Sequence, residues 1–287
     1  MRDRTLRIGT RLGEIAVTVR GNGSAAAPAI VMWPSLLMDH TLWAAQVEHF
    51  AGRYTTVAVD PPGHGRSSPL GRTFTFDECA DVITAILDSL GIERTHLLGN
   101  SWGAMIGGTF AARHPDRIGC AVLLNGTASA PPNRQRFEYG ALLTMARLLG
   151  GVRPPLTRSV VRAFLGPTSR RERPAAVRHV LAGARAVDVR SVSYAIRSVV
   201  PLRPDQSELF GTIRTPVLVV AGREDTTFPL PEVRRMAEVI PGAELQILDG
   251  AAHLVALEVP DAVNALVDDF IDRRGSSHRG EHLPPGM

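Results

Sequence analysis

The chain contains no lysine; all 32 of its basic residues are arginine. Without a side-chain amine, Schiff-base catalysis, pyridoxal phosphate anchoring and a Walker-type phosphate loop are excluded. Aromatic residues amount to 5% and the formal charge is +4, too little of either for a stacking surface on nucleic acid, so no nucleic-acid partner is expected. No uncharged apolar run approaches the ~18 residues a membrane span needs. Met1-Arg2-Asp3-Arg4 leads into no apolar signal region. Neither feature suggests a membrane, and the expectation is a cytoplasmic protein. There are two cysteines, Cys79 on a predicted helix and Cys120 on a predicted strand. They lack metal-ligand spacing and read as core fillers rather than as a disulfide or a nucleophile.

What is present is enough apolar material for a large core: 287 residues, 44% of them hydrophobic. A hairpin opens the chain, Leu6 to Thr10 and Glu14 to Val19, ending at a Gly21-Asn22-Gly23 turn. Apolar runs then alternate with amphipathic helices. Predicted strands cover Ala29 to Trp33, Thr55 to Asp60, Thr95 to Leu98 and Ile118 to Asn125. Predicted helices cover Leu42 to Ala51, Phe76 to Leu90 and Ala104 to Arg113. This is the pattern of an α/β fold with a mostly parallel, doubly wound sheet.

The alternation stops between residues 128 and 210, where the chain becomes helical, arginine-rich and punctuated by proline. It resumes with strand Val217 to Gly222, helix Pro231 to Ile240, strand Glu244 to Leu248 and a closing helix, Pro260 to Arg273. The expected organisation is one core, 1–127 and 211–274, with a helical cap inserted at 128–210. Residues 275–287 read as a frayed tail. The cap holds fourteen arginines against five acidic residues, a formal +9, which leaves −5 for the remainder of a chain whose total is +4. Most of that charge reads as a solvated helix face; the sharper reading is an arginine that meets a substrate carboxylate bidentately.

Gly99-Asn100-Ser101-Trp102-Gly103 lies where an apolar strand gives way to a small-residue helix, the context in which Gly-x-Ser-x-Gly makes a nucleophile elbow. Glycines let the helix press close to the sheet, and the helix N-terminus favours the negative charge that develops beside the serine oxygen. A serine hydroxyl needs a base, and the base needs a carboxylate to fix its tautomer. Asp225 follows the strand Val217 to Gly222 and His253 follows the strand Glu244 to Leu248, both at strand ends where open α/β sheets place active sites. Ser101, Asp225 and His253 are therefore the candidate nucleophile, acid and base. His64 competes as base but precedes the serine and reads as a loop-knitting residue; Asp60, Glu224 and Asp249 are the rival acids.

These positions, together with Asp60-Pro61-Pro62-Gly63-His64-Gly65-Arg66-Ser67, give the chain from Leu6 to about Arg273 a resemblance to capped α/β-hydrolase-fold enzymes. Pro34-Ser35-Leu36, Trp43 and Ala251-Ala252-His253 are similar to 3-oxoadipate enol-lactonases, although Pro34-Ser35 stands where a His-Gly pair is commoner. The resemblance implies an oxyanion hole from the backbone N–H groups of Leu36 and Trp102, and an acyl-enzyme mechanism with no metal and no cofactor. Trp33, Asn100 and Phe228 are the candidate substrate-binding residues, with Trp102 as a further wall of the acyl pocket. The implied partner is a small-molecule ester or lactone, anionic if it is like an enol-lactone diacid; oligomeric state is not legible. Two alternatives stay open. One is a carbon–carbon hydrolase of the meta-cleavage-product type, which favours Met-Gly after the serine where this chain has Trp102-Gly103. The other is a non-catalytic binding protein on the same scaffold. Haloalkane dehalogenation needs an aspartate where Ser101 stands; a perhydrolase side activity is compatible with the same site.

Overall fold

The computed structural model describes residues 3–21 and 27–275. The predicted Gly21-Asn22-Gly23 turn falls largely outside them, as does the tail, of which only Gly275 is described, at the end of the last helix. Strands β1 (Arg4–Thr10) and β2 (Gly13–Arg20) form the expected hairpin. β2 then pairs antiparallel with β4 (Thr55–Val59). From there on β3 (Ala29–Trp33), β5 (Thr95–Asn100), β6 (Ile118–Leu124), β7 (Val217–Gly222) and β8 (Glu244–Leu248) run parallel. The eight-stranded sheet has the order β1-β2-β4-β3-β5-β6-β7-β8. β3 and β7 are buried along their whole length, which is why they read as continuous apolar runs rather than as alternating ones.

Helices cover both faces. The predicted helix Leu42 to Ala51 divides into a 3₁₀ turn, His40–Trp43, and α1 (Ala44–Phe50), because Asp39 caps the chain early by accepting from Thr41 N. α2 (Phe76–Ser89) starts at a capping box in which Thr75 Oγ1 accepts from Glu78 N and Glu78 Oε2 from Thr75 N. α3 (Trp102–Arg113) begins two residues earlier than predicted, so Ser101 alone makes the corner after β5. Gly99 and Gly103 explain how. A Cβ on Gly99 would lie 2.0 Å from Gly103 O, and one on Gly103 would lie 1.9 Å from Trp33 O. Trp33, Trp43, Trp102 and Phe110 are fully buried around this packing, each contributing ~1.5–3 kcal/mol of hydrophobic stabilisation.

Between β6 and β7 lie α4 (Asn133–Leu148), α5 (Leu156–Phe164), α6 (Pro167–Glu172), α7 (Pro174–Ala186) and α8 (Val189–Val199), followed by α9 (Ser207–Phe210). α8 is tied to the loop after β4: Leu70 N donates to Ser191 Oγ at 2.8 Å and Phe74 N to Ser198 Oγ at 2.9 Å. After β7 come α10 (Leu230–Val239), then β8, α11 (Val255–Glu258) and α12 (Pro260–Gly275). The carboxyl ends of β3, β5, β6, β7 and β8 share one rim, with the inserted helices packed over it. Among the described residues no helix is long and apolar enough to cross a membrane.

Candidate active site

Ser101 adopts φ 57° and ψ −108°, a strained conformation for a residue with a Cβ, which costs ~1–3 kcal/mol. Neighbouring bonds hold it there. Its N–H donates to Leu124 O at 2.8 Å and its carbonyl accepts from Ala104 N and Met105 N at the start of α3. The strain aims Oγ at the rim, where His253 Nε2 lies 2.8 Å away. His253 Nδ1 lies 2.8 Å from Asp225 Oδ2. All three residues are buried. The tautomer that satisfies both contacts carries its proton on Nδ1, leaving the Nε2 lone pair facing the serine hydroxyl.

The loops that deliver these groups are held by residues that sequence reasoning missed. Asp225 accepts four hydrogen bonds: from His253, from Asn125 Nδ2 at 2.9 Å, and from the N–H groups of Thr227 and Phe228 at 2.7 and 3.1 Å. Asn125 ends the strand pattern of β6 and has φ 49°. Glu258 brackets the histidine by accepting from Ala252 N and Leu254 N at 2.9 and 3.0 Å, while Ser169 Oγ donates to its other oxygen at 2.6 Å. Burial raises the Glu258 pKa, a push that these hydrogen bonds only partly oppose. A lone acid in the apolar run Leu254 to Val259 was the available signal. The end of α5 completes the clamp: His253 N donates to Phe164 O, and Thr227 Oγ1 to Ala163 O.

Leu36 lines the same cavity as Ser101 and Trp102 follows Ser101 at the first position of α3; among the described residues neither backbone N–H has an acceptor. Leu37, at φ 62°, shapes the first of these loops, and its N–H donates to His64 Nε2 at 3.1 Å. His64 Nδ1 in turn donates to Pro62 O at 3.0 Å. Burial lowers the His64 pKa to about 4, so the ring is neutral and able to accept. His64 is thus a loop-knitting residue, as the sequence suggested.

A chamber of about 140 Å³ opens onto Ser101 and His253. Leu36 and Phe228 line it, as do Tyr139, Leu143, Phe164 and Arg203 from the inserted segment. Phe164 stacks on the His253 ring at 5.6 Å and Phe228 tilts against it at 5.5 Å. Three expectations need correction. Trp33 does not line the chamber; it is fully buried, edge-on to Trp102 at 5.6 Å. The Trp102 ring is no pocket wall either, because it stacks on Phe74 at 5.5 Å beneath the rim. Asn100 is no lining residue: it is buried and its Nδ2 donates to His253 O at 2.9 Å, so it positions the histidine.

The rival acids are occupied elsewhere. Glu224 accepts from the backbone and hydroxyl of Thr168, and Asp249 pairs with Arg223 at the surface. Asp60 accepts from His40 N and from Arg66 N and Nε. Asp39, His40 and Asp60 bring potential metal-ligand atoms within 4.8 Å of one another, but the Arg66 guanidinium already neutralises Asp60 there.

Residues 28–260 match the sequence pattern of the family described as alpha/beta hydrolase fold. RutD of Caulobacter sp. (strain K31), named for carbamate hydrolysis, is 31% identical over 256 residues, spanning 88% of this chain and 94% of that protein. The 3-oxoadipate enol-lactonase 2 of Acinetobacter baylyi is 26% identical over 263 residues, 91% of this chain and 94% of its own. The crystal structure of the enol-lactonase from Burkholderia xenovorans LB400 superimposes with a TM-score of 0.86 at 25% identity, covering 93% of this chain and all of that one.

Proposed function

The chain belongs to the α/β-hydrolase fold family, and from that premise we propose that it is a serine hydrolase that cleaves small carboxylic esters or lactones through an acyl-enzyme. The observation that carries this reading is the unbroken pair of 2.8 Å contacts from Ser101 Oγ through His253 to Asp225, opening into an apolar chamber. In the proposed reaction His253 Nε2 takes the Ser101 proton as Oγ attacks the carbonyl carbon. Asp225 stabilises the imidazolium that forms. The oxyanion settles on the N–H groups of Leu36 and Trp102, at the positive end of α3, an interaction whose loss costs ~100- to 1,000-fold in turnover per donor. His253 then protonates the leaving oxygen, and water, deprotonated by the same ring, releases the acid. The inserted helices α4 to α8 serve as a cap that excludes bulk water and shapes the substrate site. We place the reaction in the cytoplasm, where buried free thiols such as Cys79 and Cys120 stay reduced.

A second reading is carbamate hydrolysis, which uses the same attack on a carbonyl and is favoured by the 31% identity to RutD. Both rest on the same nucleophile. Fluorophosphonate labelling followed by peptide mass spectrometry is expected to place one adduct on Ser101, and its absence there in folded protein would reject both readings. Initial rates on p-nitrophenyl butyrate and on an aryl carbamate then decide between them. His253→Ala is expected to lower the preferred rate by several orders of magnitude.

A further inference from the structure

Arg203 is, apart from His253, the one ionisable basic side chain among the residues lining the chamber, and it is 4% exposed. It is held from one side. Nε donates to Ser129 O at 2.8 Å, Nη2 reaches Gln135 Oε1 only at 3.5 Å, and the guanidinium carbon lies 5.5 Å from the Phe228 ring centroid. No carboxylate forms an ion pair with it among the described residues, and Nη1 has no described hydrogen bond. The acid that acts on it from farther off, Glu232, is already engaged by Thr127 Oγ1 and Arg235.

A buried cation without a counter-ion is costly, and proteins normally pair it. Burial here lowers the Arg203 pKa to about 10, which still leaves the guanidinium charged at neutral pH. No pairing partner lies among the described residues, and one has room in the chamber. We propose that Arg203 anchors a carboxylate of the substrate, so that the site selects esters or lactones bearing a free carboxylate a few bonds from the scissile carbonyl. With Nε committed to Ser129, the carboxylate meets the end of the fork, Nη1 and Nη2, which the weak Gln135 contact leaves available. Phe228 sets the span: it touches the guanidinium on one side and the His253 ring on the other, at 5.5 Å each. The tether between carbonyl and carboxylate is thus short and runs along an aromatic wall.

This inference rests on the serine-hydrolase reading for its substrate but not for its anion. Rates on mono-p-nitrophenyl glutarate and on p-nitrophenyl pentanoate are compared for the wild type and for Arg203→Gln and Arg203→Lys. The wild type is expected to prefer the anionic ester, and the ratio of the two kcat/KM values to fall about ten- to a hundredfold in Arg203→Gln, with partial recovery in Arg203→Lys. Adipate binding to Ser101→Ala protein, followed by thermal shift, is measured with and without Arg203→Gln. Binding that disappears with Arg203 supports the anchor even if neither ester turns over, an outcome that would instead count against the hydrolase reading. An unchanged ester ratio together with adipate binding indifferent to residue 203 would overturn the anchor and leave the hydrolase reading in place.

Discussion

The Leu37 N–H donates to His64 Nε2 at 3.1 Å, joining the loop after β3 to the loop after β4 through a buried neutral imidazole. Leu36, whose N–H is the proposed oxyanion donor, is thereby held by a bond made one residue away. The connection gives the Pro61-Pro62-Gly63-His64-Gly65 segment a purpose at the active site that it reaches without touching substrate. His64→Ala leaves a buried N–H unpaired, at ~1–3 kcal/mol, and frees the Leu36 donor to move. The interaction that suffers is made only in the transition state, so kcat on a p-nitrophenyl ester is expected to fall about tenfold or more with KM little changed. His64→Gln, whose amide oxygen can accept from Leu37, is expected to restore part of kcat. A raised KM at constant kcat would show instead that the loop binds substrate.

Protonating that ring must cost stability. His64 is buried and His96 half-buried, and desolvation lowers each to about 4 from an ordinary 6.5. Between those values the unfolded chain binds more protons than the native one, so stability falls as pH drops from about 6.5 towards 4. His64 alone accounts for up to about 3 kcal/mol of this loss. Urea denaturation at stepped pH should show a decline across that window that is shallower in His64→Gln. Parallel slopes for the two proteins would exclude His64 as a source.

Glu258 tests the histidine loop from its other side. In Glu258→Gln the amide oxygen can still accept from Ala252 N and Leu254 N, while the buried charge is gone. Because burial raises the Glu258 pKa, the ionised carboxylate opposes folding increasingly as pH rises through its titration, so the glutamine variant is expected to match or exceed wild-type stability at pH 7. Glu258→Ala strands two N–H groups, at ~1–3 kcal/mol each, and lets His253 drift. Thermal melts and kcat should therefore separate the two variants, and equal losses in both would mean that the charge itself matters.

Legibility followed the range of the interactions involved. The strand ends carrying Ser101, Asp225 and His253 could be read locally, since each follows its own apolar run and a turn. The doubly wound sheet was legible for the same reason. Which way a ring faces was not: Trp33 and Trp102 lie beside the serine in sequence, yet they pack inward on each other and on Phe74, a choice made by tertiary neighbours. Asn100 and Asn125 act on a carbonyl and a carboxylate that are distant in the chain, and no sequence spacing announces such bonds. Arginine abundance in the inserted segment pointed to a cation without saying which. Only burial and the missing counter-ion single out Arg203.

The corner at Ser101 depends on two backbones in contact, and that contact can be tested by a single methyl group. A Cβ at Gly103 would lie 1.9 Å from Trp33 O and 2.8 Å from Trp33 C. Both are main-chain atoms of a central strand, so no rotamer change relieves the overlap. Gly103→Ala is expected to exceed the ~1–3 kcal/mol typical of overpacking and to leave little folded protein. Gly140, in the exposed part of α4, has nothing within 4 Å of its Cβ position. Gly140→Ala is expected to stabilise by ~0.5–1 kcal/mol through helix propensity alone. Chemical denaturation of the two variants side by side should give changes of opposite sign. A Gly103→Ala protein as stable as the wild type would mean that α3 can stand off from β3, and the strain at Ser101 would then need another source.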